Sequence, residues 1–165
     1  MLYLGNRSNT HSLDTQRALH ATDGYLYLGL PDEALRELDA APAEESHDAA
    51  VLLARVRTLL HLRRWADAEE LSNFGNVTHP EEEEFTVQRA FALHQLDKGD
   101  LAVEVILAAP EWIRRTGILH YNLACYEARL GDLTTARRCI RAAIKLNSAM
   151  KKNARVDPDL QALWN

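Results

Sequence analysis

The feature that most constrains this chain is a spacing. Ala34, Ala68, Ala102 and Ala136 fall 34 residues apart, through three successive intervals. Six residues ahead of each stands a leucine, at Leu28, Leu62, Leu96 and Leu130. Seven residues behind each stands a small residue, at Ala41, Gly75, Ala109 and Ala143. Alanine and leucine are abundant, so one column alone carries little; three columns in phase through four copies define a repeat. A period of 34 residues holds two helices of roughly three to four turns and two short connections. Such a hairpin has an apolar face that it cannot bury alone, so successive units stack. Small residues at fixed places let helix axes approach to about 8–10 Å, and a large side chain at Ala102 or Ala136 would wedge them apart. The expected fold is an all-α solenoid.

Breaker residues fall where this reading needs them. Within the units lie Gly29-Leu30-Pro31-Asp32, Arg63-Arg64-Trp65, Asp97-Lys98-Gly99-Asp100 and Gly131-Asp132-Leu133. Between the units lie Pro42-Ala43-Glu44-Glu45-Ser46, Asn76-Val77-Thr78-His79-Pro80 and the stretch Pro110 to Thr116. Glycine and proline there end one helix and open the next. Ser46, Thr78 and Thr116 are expected N-caps, Thr78 forming a capping box with Glu81. The run Glu81-Glu82-Glu83-Glu84 is expected to open a helix, where negative charge suits the positive end of the dipole. Composition agrees: 47% hydrophobic and 26% charged residues describe a globular chain, and 7% aromatics with abundant leucine and alanine favour helix.

The segment from His120 to Ala136 resembles the tetratricopeptide repeat signature. Leu123-Ala124 stands where that family has a Leu-Gly pair, Gly131-Asp132 matches the turn between its helices, and Ala136 and Ala143 match the small positions of its second helix. The other copies match more loosely: Pro31-Asp32-Glu33-Ala34-Leu35 and Trp65-Ala66-Asp67-Ala68-Glu69 look like starts of second helices. The proline that often closes a unit survives as Pro80, with Ser46, Arg114 and Ser148 in its place elsewhere. At a position usually large and apolar, Tyr25, Leu59 and Leu93 comply and Glu127 does not, leaving Tyr126 beside it to take over the packing. The resemblance covers residues 15–148 and implies a right-handed solenoid of four helix-turn-helix units, at about 15–48, 49–82, 83–116 and 117–148. Residues 1–14 are then a poorly ordered lead-in, and residues 149–165 a C-terminal capping segment. In that segment Asp157 caps a short helix with Pro158 at its first position. Leu160, Leu163 and Trp164 share one face and cover the last unit's apolar flank; the rival role for Trp164 is to anchor a partner.

No motif for chemistry emerges. None of His11, His20, His47, His61, His79, His94 and His120 belongs to a His-Glu-x-x-His pair, so no metal is expected. No phosphate-binding glycine loop or Gly-x-Ser-x-Gly elbow occurs, so no cofactor and no catalytic residue is assigned, and the chain is not expected to be an enzyme. Cys125 and Cys139 lack metal-type spacing and read as buried thiols. No stretch approaches the ~20 apolar residues of a membrane span, and the N-terminus lacks a secretory pattern. A cytoplasmic protein with no membrane contact is expected.

The net charge of −5 is unevenly spread. Residues 1–111 hold 9 Lys and Arg against 20 Asp and Glu, whereas residues 112–165 hold 10 against 4. Arg137, Arg141 and Lys145 form one stripe with Arg138 beside it, expected to face solvent. An acidic chain whose basic residues carry no interleaved aromatics is not expected to bind nucleic acid. The family resemblance implies a concave groove lined by the first helix of each unit. Mapped onto this sequence, its positions are Leu19, Asp23 and Leu26; Leu53, Arg57 and Leu60; Val87, Phe91 and His94; and Tyr121, Cys125 and Ala128. Asn122 alone resembles a member of the family's carboxylate clamp, so no clamp function is expected. The implied function is a scaffold that binds a peptide or protein partner in this groove. The chain's own tail or a second copy are alternative occupants. A self-associating structural unit and a small chaperone for exported proteins are the alternative functions.

Overall fold

The computed structural model describes residues 11–164. The expected lead-in falls outside these residues as far as residue 10, as does Asn165. The described residues contain no strand, and the chain is an all-α solenoid of tetratricopeptide-like repeats. The first unit pairs α1 (Leu13–Tyr27) with α2 (Pro31–Asp39), and the second pairs α3 (Ala49–His61) with α4 (Trp65–Thr78). The third pairs α5 (Glu83–Gln95) with α6 (Gly99–Ala108). A one-turn helix, α7 (Glu111–Arg114), leads into the fourth pair, α8 (Gly117–Leu130) and α9 (Leu133–Leu146). Each pair is an antiparallel hairpin, and each packs on the next.

The turns inside the units reveal a fourth column in the repeat. Gly29, Arg63, Asp97 and Gly131, again 34 residues apart, all have left-handed backbones, with φ of 72°, 56°, 57° and 91°. Each donates its N–H to the carbonyl three residues back, at Leu26, Leu60, His94 and Ala128. The following residue donates five back, to Tyr25, Leu59, Leu93 and Glu127, at 2.9–3.0 Å. This paired pattern is a Schellman closure, which satisfies carbonyls that a helix end would otherwise leave bare. Ala34, Ala68, Ala102 and Ala136 then accept their place in the next helix by bonding back to Leu30, Arg64, Lys98 and Asp132.

All four of those alanines are fully buried, which is why the column tolerates nothing larger. The second small column is tightest at Gly75, where a β-carbon would come within 2.3 Å of the buried Phe85 ring. The leucine column is not core: Leu28 and Leu130 are exposed and Leu62 and Leu96 are half-buried. The continuous core lies toward the C-terminus, running from Ala90 and Leu93 through Ile106, Leu119 and Tyr126 to Leu163. Tyr126 is buried where Glu127 is only half-buried, and burial raises the Glu127 carboxyl above the usual range.

Of the three expected caps, two fall elsewhere. Thr78 is the last residue of α4, where its hydroxyl donates to the Phe74 carbonyl at 3.0 Å. That internal bond removes it from capping, and Glu82 stands at the N-cap of α5. Only Glu83 and Glu84 of the acidic run therefore lie in the first turn. Ser46 closes a 3-10 turn over Ala43–Glu45 by bonding the Ala43 carbonyl, and Asp48 takes the N-cap of α3. Thr116 does stand at the N-cap of α8, but its buried hydroxyl has no partner there. Among the described α-helices, side-chain caps are made by Ser12, on the Thr15 amide, and Asp132, on the Thr135 amide.

The tail has two parts. A short helix, α10 (Met150–Val156), lies against α9, and a 3-10 turn (Pro158–Leu163) folds back onto α8. Asp157 caps this turn through the Asp159 amide, and Leu160 and Leu163 bury into the C-terminal core.

Candidate functional site

The first helices lie side by side, α1 against α3, α3 against α5, and α5 against α8, and form one face of the array. Because the units superimpose at the same period, residues 34 apart become neighbours on this face. The Asp23–Arg57 pair shows it directly: Arg57 Nη2 donates to Asp23 Oδ1 at 3.0 Å across one full repeat. The two charges named for the groove thus neutralise each other, at an exposed surface where such a pair is worth only ~0–1 kcal/mol.

The remaining positions divide into an open and a covered part. Leu26 and Leu60 are half-buried, and Phe91 is 38% exposed, edge-on to the Trp65 ring at 6.1 Å. His94, Tyr121 and Cys125 are instead covered by the tail. Tyr121 donates its hydroxyl to Asp157 Oδ2 at 2.8 Å. His94 Nε2 lies 3.0 Å from Asp159 Oδ2; an ionised carboxylate only accepts, so this nitrogen carries the proton. Arg129 Nη1 bonds the other oxygen of Asp159 at 3.2 Å. The His94 ring also stacks obliquely on Tyr126 at 4.6 Å. Asn122, on the same helix, is half-buried and meets neither Asp157 nor Asp159 in a hydrogen bond.

Cys125, Asp157 and Asp159 bring donor atoms within 4.8 Å of one another, a spacing that suits a metal ion. Within the chain these groups satisfy one another: burial, reinforced by the two carboxylates, pushes the Cys125 thiol far above its ordinary value, and its Sγ donates to Asp157 Oδ2 at 3.8 Å. Asp159 already faces the Arg129 guanidinium. Burial and the bond to Asp157 likewise push the Tyr121 phenol up, keeping it a hydrogen-bond donor. The cluster is a hydrogen-bonded seat for the tail.

Asp157, Asp159 and Arg129 are site residues that sequence reasoning passed over. Their signal lay in the two carboxylates flanking Pro158 in a segment with an apolar face: such a segment must dock, and its charges then need partners. The basic stripe lies outside this site. Arg137, Arg138, Arg141 and Lys145 are all exposed, and Arg137 Nη1 donates to the Leu163 carbonyl at 2.6 Å. No helix of the described residues is long and apolar enough to cross a membrane.

Neither a protein-family model nor a curated protein matches the chain. Solved structures of MamA do resemble it. The MamA 41-end structure from Desulfovibrio magneticus RS-1 superposes with a TM-score of 0.73 at 18% identity, over 88% of this chain and 82% of that one. A double mutant of MamA RS-1 gives 0.72 at the same identity and coverage. MamA MSR-1 gives 0.66 at 19% identity, over 85% and 82%. At such identities the likeness is one of architecture, and the chain shares with MamA a tetratricopeptide-like array of stacked helical hairpins.

Proposed function

We propose that the chain is a cytoplasmic protein-interaction scaffold that takes a peptide or protein partner along the first helices of its first three repeats. The supporting observation is Phe91. It stands one period beyond Arg57, more than a third exposed and braced edge-on by Trp65, while the fourth repeat's share of the same face is occupied by the tail. An exposed aromatic braced by Trp65, on the row of helices that also carries half-buried Leu26 and Leu60, suits an apolar side chain of an incoming segment. Asp23 and Arg57 offer that segment one acceptor and one donor at the price of an exchangeable surface pair.

A peptide array read by the full chain tests this. Phe91→Ala and Leu60→Ala are expected to weaken captured peptides about tenfold or more, the range of an interface anchor. Tyr121→Phe is expected to leave them unchanged. Capture that ignores Phe91 and Leu60 would end the groove assignment.

Self-association is the second reading, supported by the polarity of charge along the chain. An acidic N-terminal half and a basic C-terminal end attract head to tail. Light scattering at low and high salt decides it: a monomer at every concentration in low salt removes this reading.

A further inference from the structure

Arg137 and Arg141 of α9 and Lys151 and Arg155 of α10 ring a cavity of about 320 Å³ that no groove residue lines. Its floor is apolar. Ile140 and Leu163 are only 3% exposed, while the Trp164 indole forms a wall and is 45% exposed. The wall is fixed in place, because Trp164 Nε1 donates to the Ala154 carbonyl at 3.0 Å. The acidic residues closest in sequence are turned away: Asp157 and Asp159 point into the groove, toward Tyr121, His94 and Arg129. Arg141, Lys151 and Arg155 therefore have no ion-pair partner among the described residues.

Cations gathered about a hollow repel one another and focus a positive potential into it, which an arriving anion relieves. A bare anion would leave the floor of Ile140, Leu163 and Trp164 unfilled. A neutral apolar group would leave the cations uncompensated. The volume lies at the lower end of ligand clefts, ~300–1,000 Å³, enough for a side chain and its flanks but not for the face of a folded repeat. We propose that this pocket is a second protein-binding site, one that takes an acidic segment of a partner. The segment seats one large apolar side chain against Trp164 and sets its carboxylates against Arg141, Lys151 and Arg155.

The test is fluorescence polarisation with the full chain and a labelled, end-blocked peptide of aspartates and glutamates around one phenylalanine. Saturable binding is expected, weakened about tenfold by Arg141→Glu with Arg155→Glu and similarly by molar salt. Replacing the peptide's phenylalanine with serine is expected to cost a further tenfold, and Phe91→Ala to change nothing. Should the charge reversal disturb the helical circular dichroism, Arg141→Gln with Arg155→Gln gives the same reading with less perturbation. The proposal fails if binding does not saturate, ignores both charge variants, or is equal for the serine peptide, which would mark a merely charged face. It also fails if Phe91→Ala abolishes binding, or if the peptide does not bind while the chain forms assemblies that the charge reversal dissolves. That last outcome would give the pocket to a second copy.

Discussion

Arg63 and Asp97 stand in left-handed backbone where the equivalent residues of the first and fourth repeats are glycines. A side chain in that region costs roughly 1–2 kcal/mol, less for aspartate, whereas glycine adds about 0.5–1 kcal/mol of chain entropy. The difference favours glycine at position 63. Arg63→Gly is expected to stabilise the protein by about 0.5–1 kcal/mol and raise Tm by about 2 °C, read by thermal unfolding. Asp97→Gly is expected to gain less, because it also removes a carboxylate 3.5 Å from Arg129. A fall in Tm for Arg63→Gly would mean that the turn is not strained. Gly75 poses the opposite problem, since a β-carbon there strikes buried Phe85. Gly75→Ala is expected to cost about 1–3 kcal/mol by overpacking. Phe85→Leu in the same chain should recover part of the loss, a coupling that a double-mutant cycle measures.

Among the elements, the terminal 3-10 turn is the one whose removal changes the exposed face. Leu160 is fully buried, and Leu160→Ala is expected to cost about 2–5 kcal/mol through the cavity it leaves. The turn would then release Asp157 and Asp159, uncovering Cys125. Burial comes first among the causes that hold this thiol protonated, so release lowers it toward the ordinary range and raises the thiolate fraction at neutral pH. In a Cys139→Ser background, Leu160→Ala is expected to speed reaction with a thiol reagent at least tenfold. Unchanged reactivity would show that the turn does not shield the groove. This contrast also marks what could be read in advance. The hairpins were legible because Ala34, Ala68, Ala102 and Ala136 obey a local period that stacking requires. The tail's seat was not, because the His94–Asp159 contact joins residues 65 apart in sequence, and no local pattern encodes such a pairing. Thr78 misled for a related reason: a threonine caps a helix or bonds back inside one, and only the extent of α4 decides between them.

Over the whole molecule, packing and charge grade in the same direction. The continuous core spans the third and fourth repeats with the tail, and a smaller one joins the second repeat to the third. The first repeat adds Ala18, Ala34 and Leu38 but leaves Tyr27 91% exposed, and its deepest polar residues are Thr15 and Thr22. Residues 11–48 also hold nine carboxylates against Arg17 and Arg36, of which Asp23 and Asp39 find partners in Arg57 and Arg55 of the second repeat. In a stacked array each unit is held by its own contacts and by its neighbours, so stability need not be uniform along the chain. Hydrogen exchange at neutral pH is therefore expected to show α1 and α2 opening at a free energy a few kcal/mol below that of α8, since local openings range from ~0 up to the global value. Added salt should slow exchange in α1 and α2 more than in α8, because screening relieves repulsion among like charges within about a Debye length, ~8–10 Å. If α1 and α8 exchange together with identical salt dependence, the array unfolds as one unit and the gradient in packing has no thermodynamic counterpart. If the gradient holds, the open half of the groove lies on the softer repeats. A partner seated along α1, α3 and α5 would then slow exchange most in α1 and α2, tying recognition to the ordering of the acidic end.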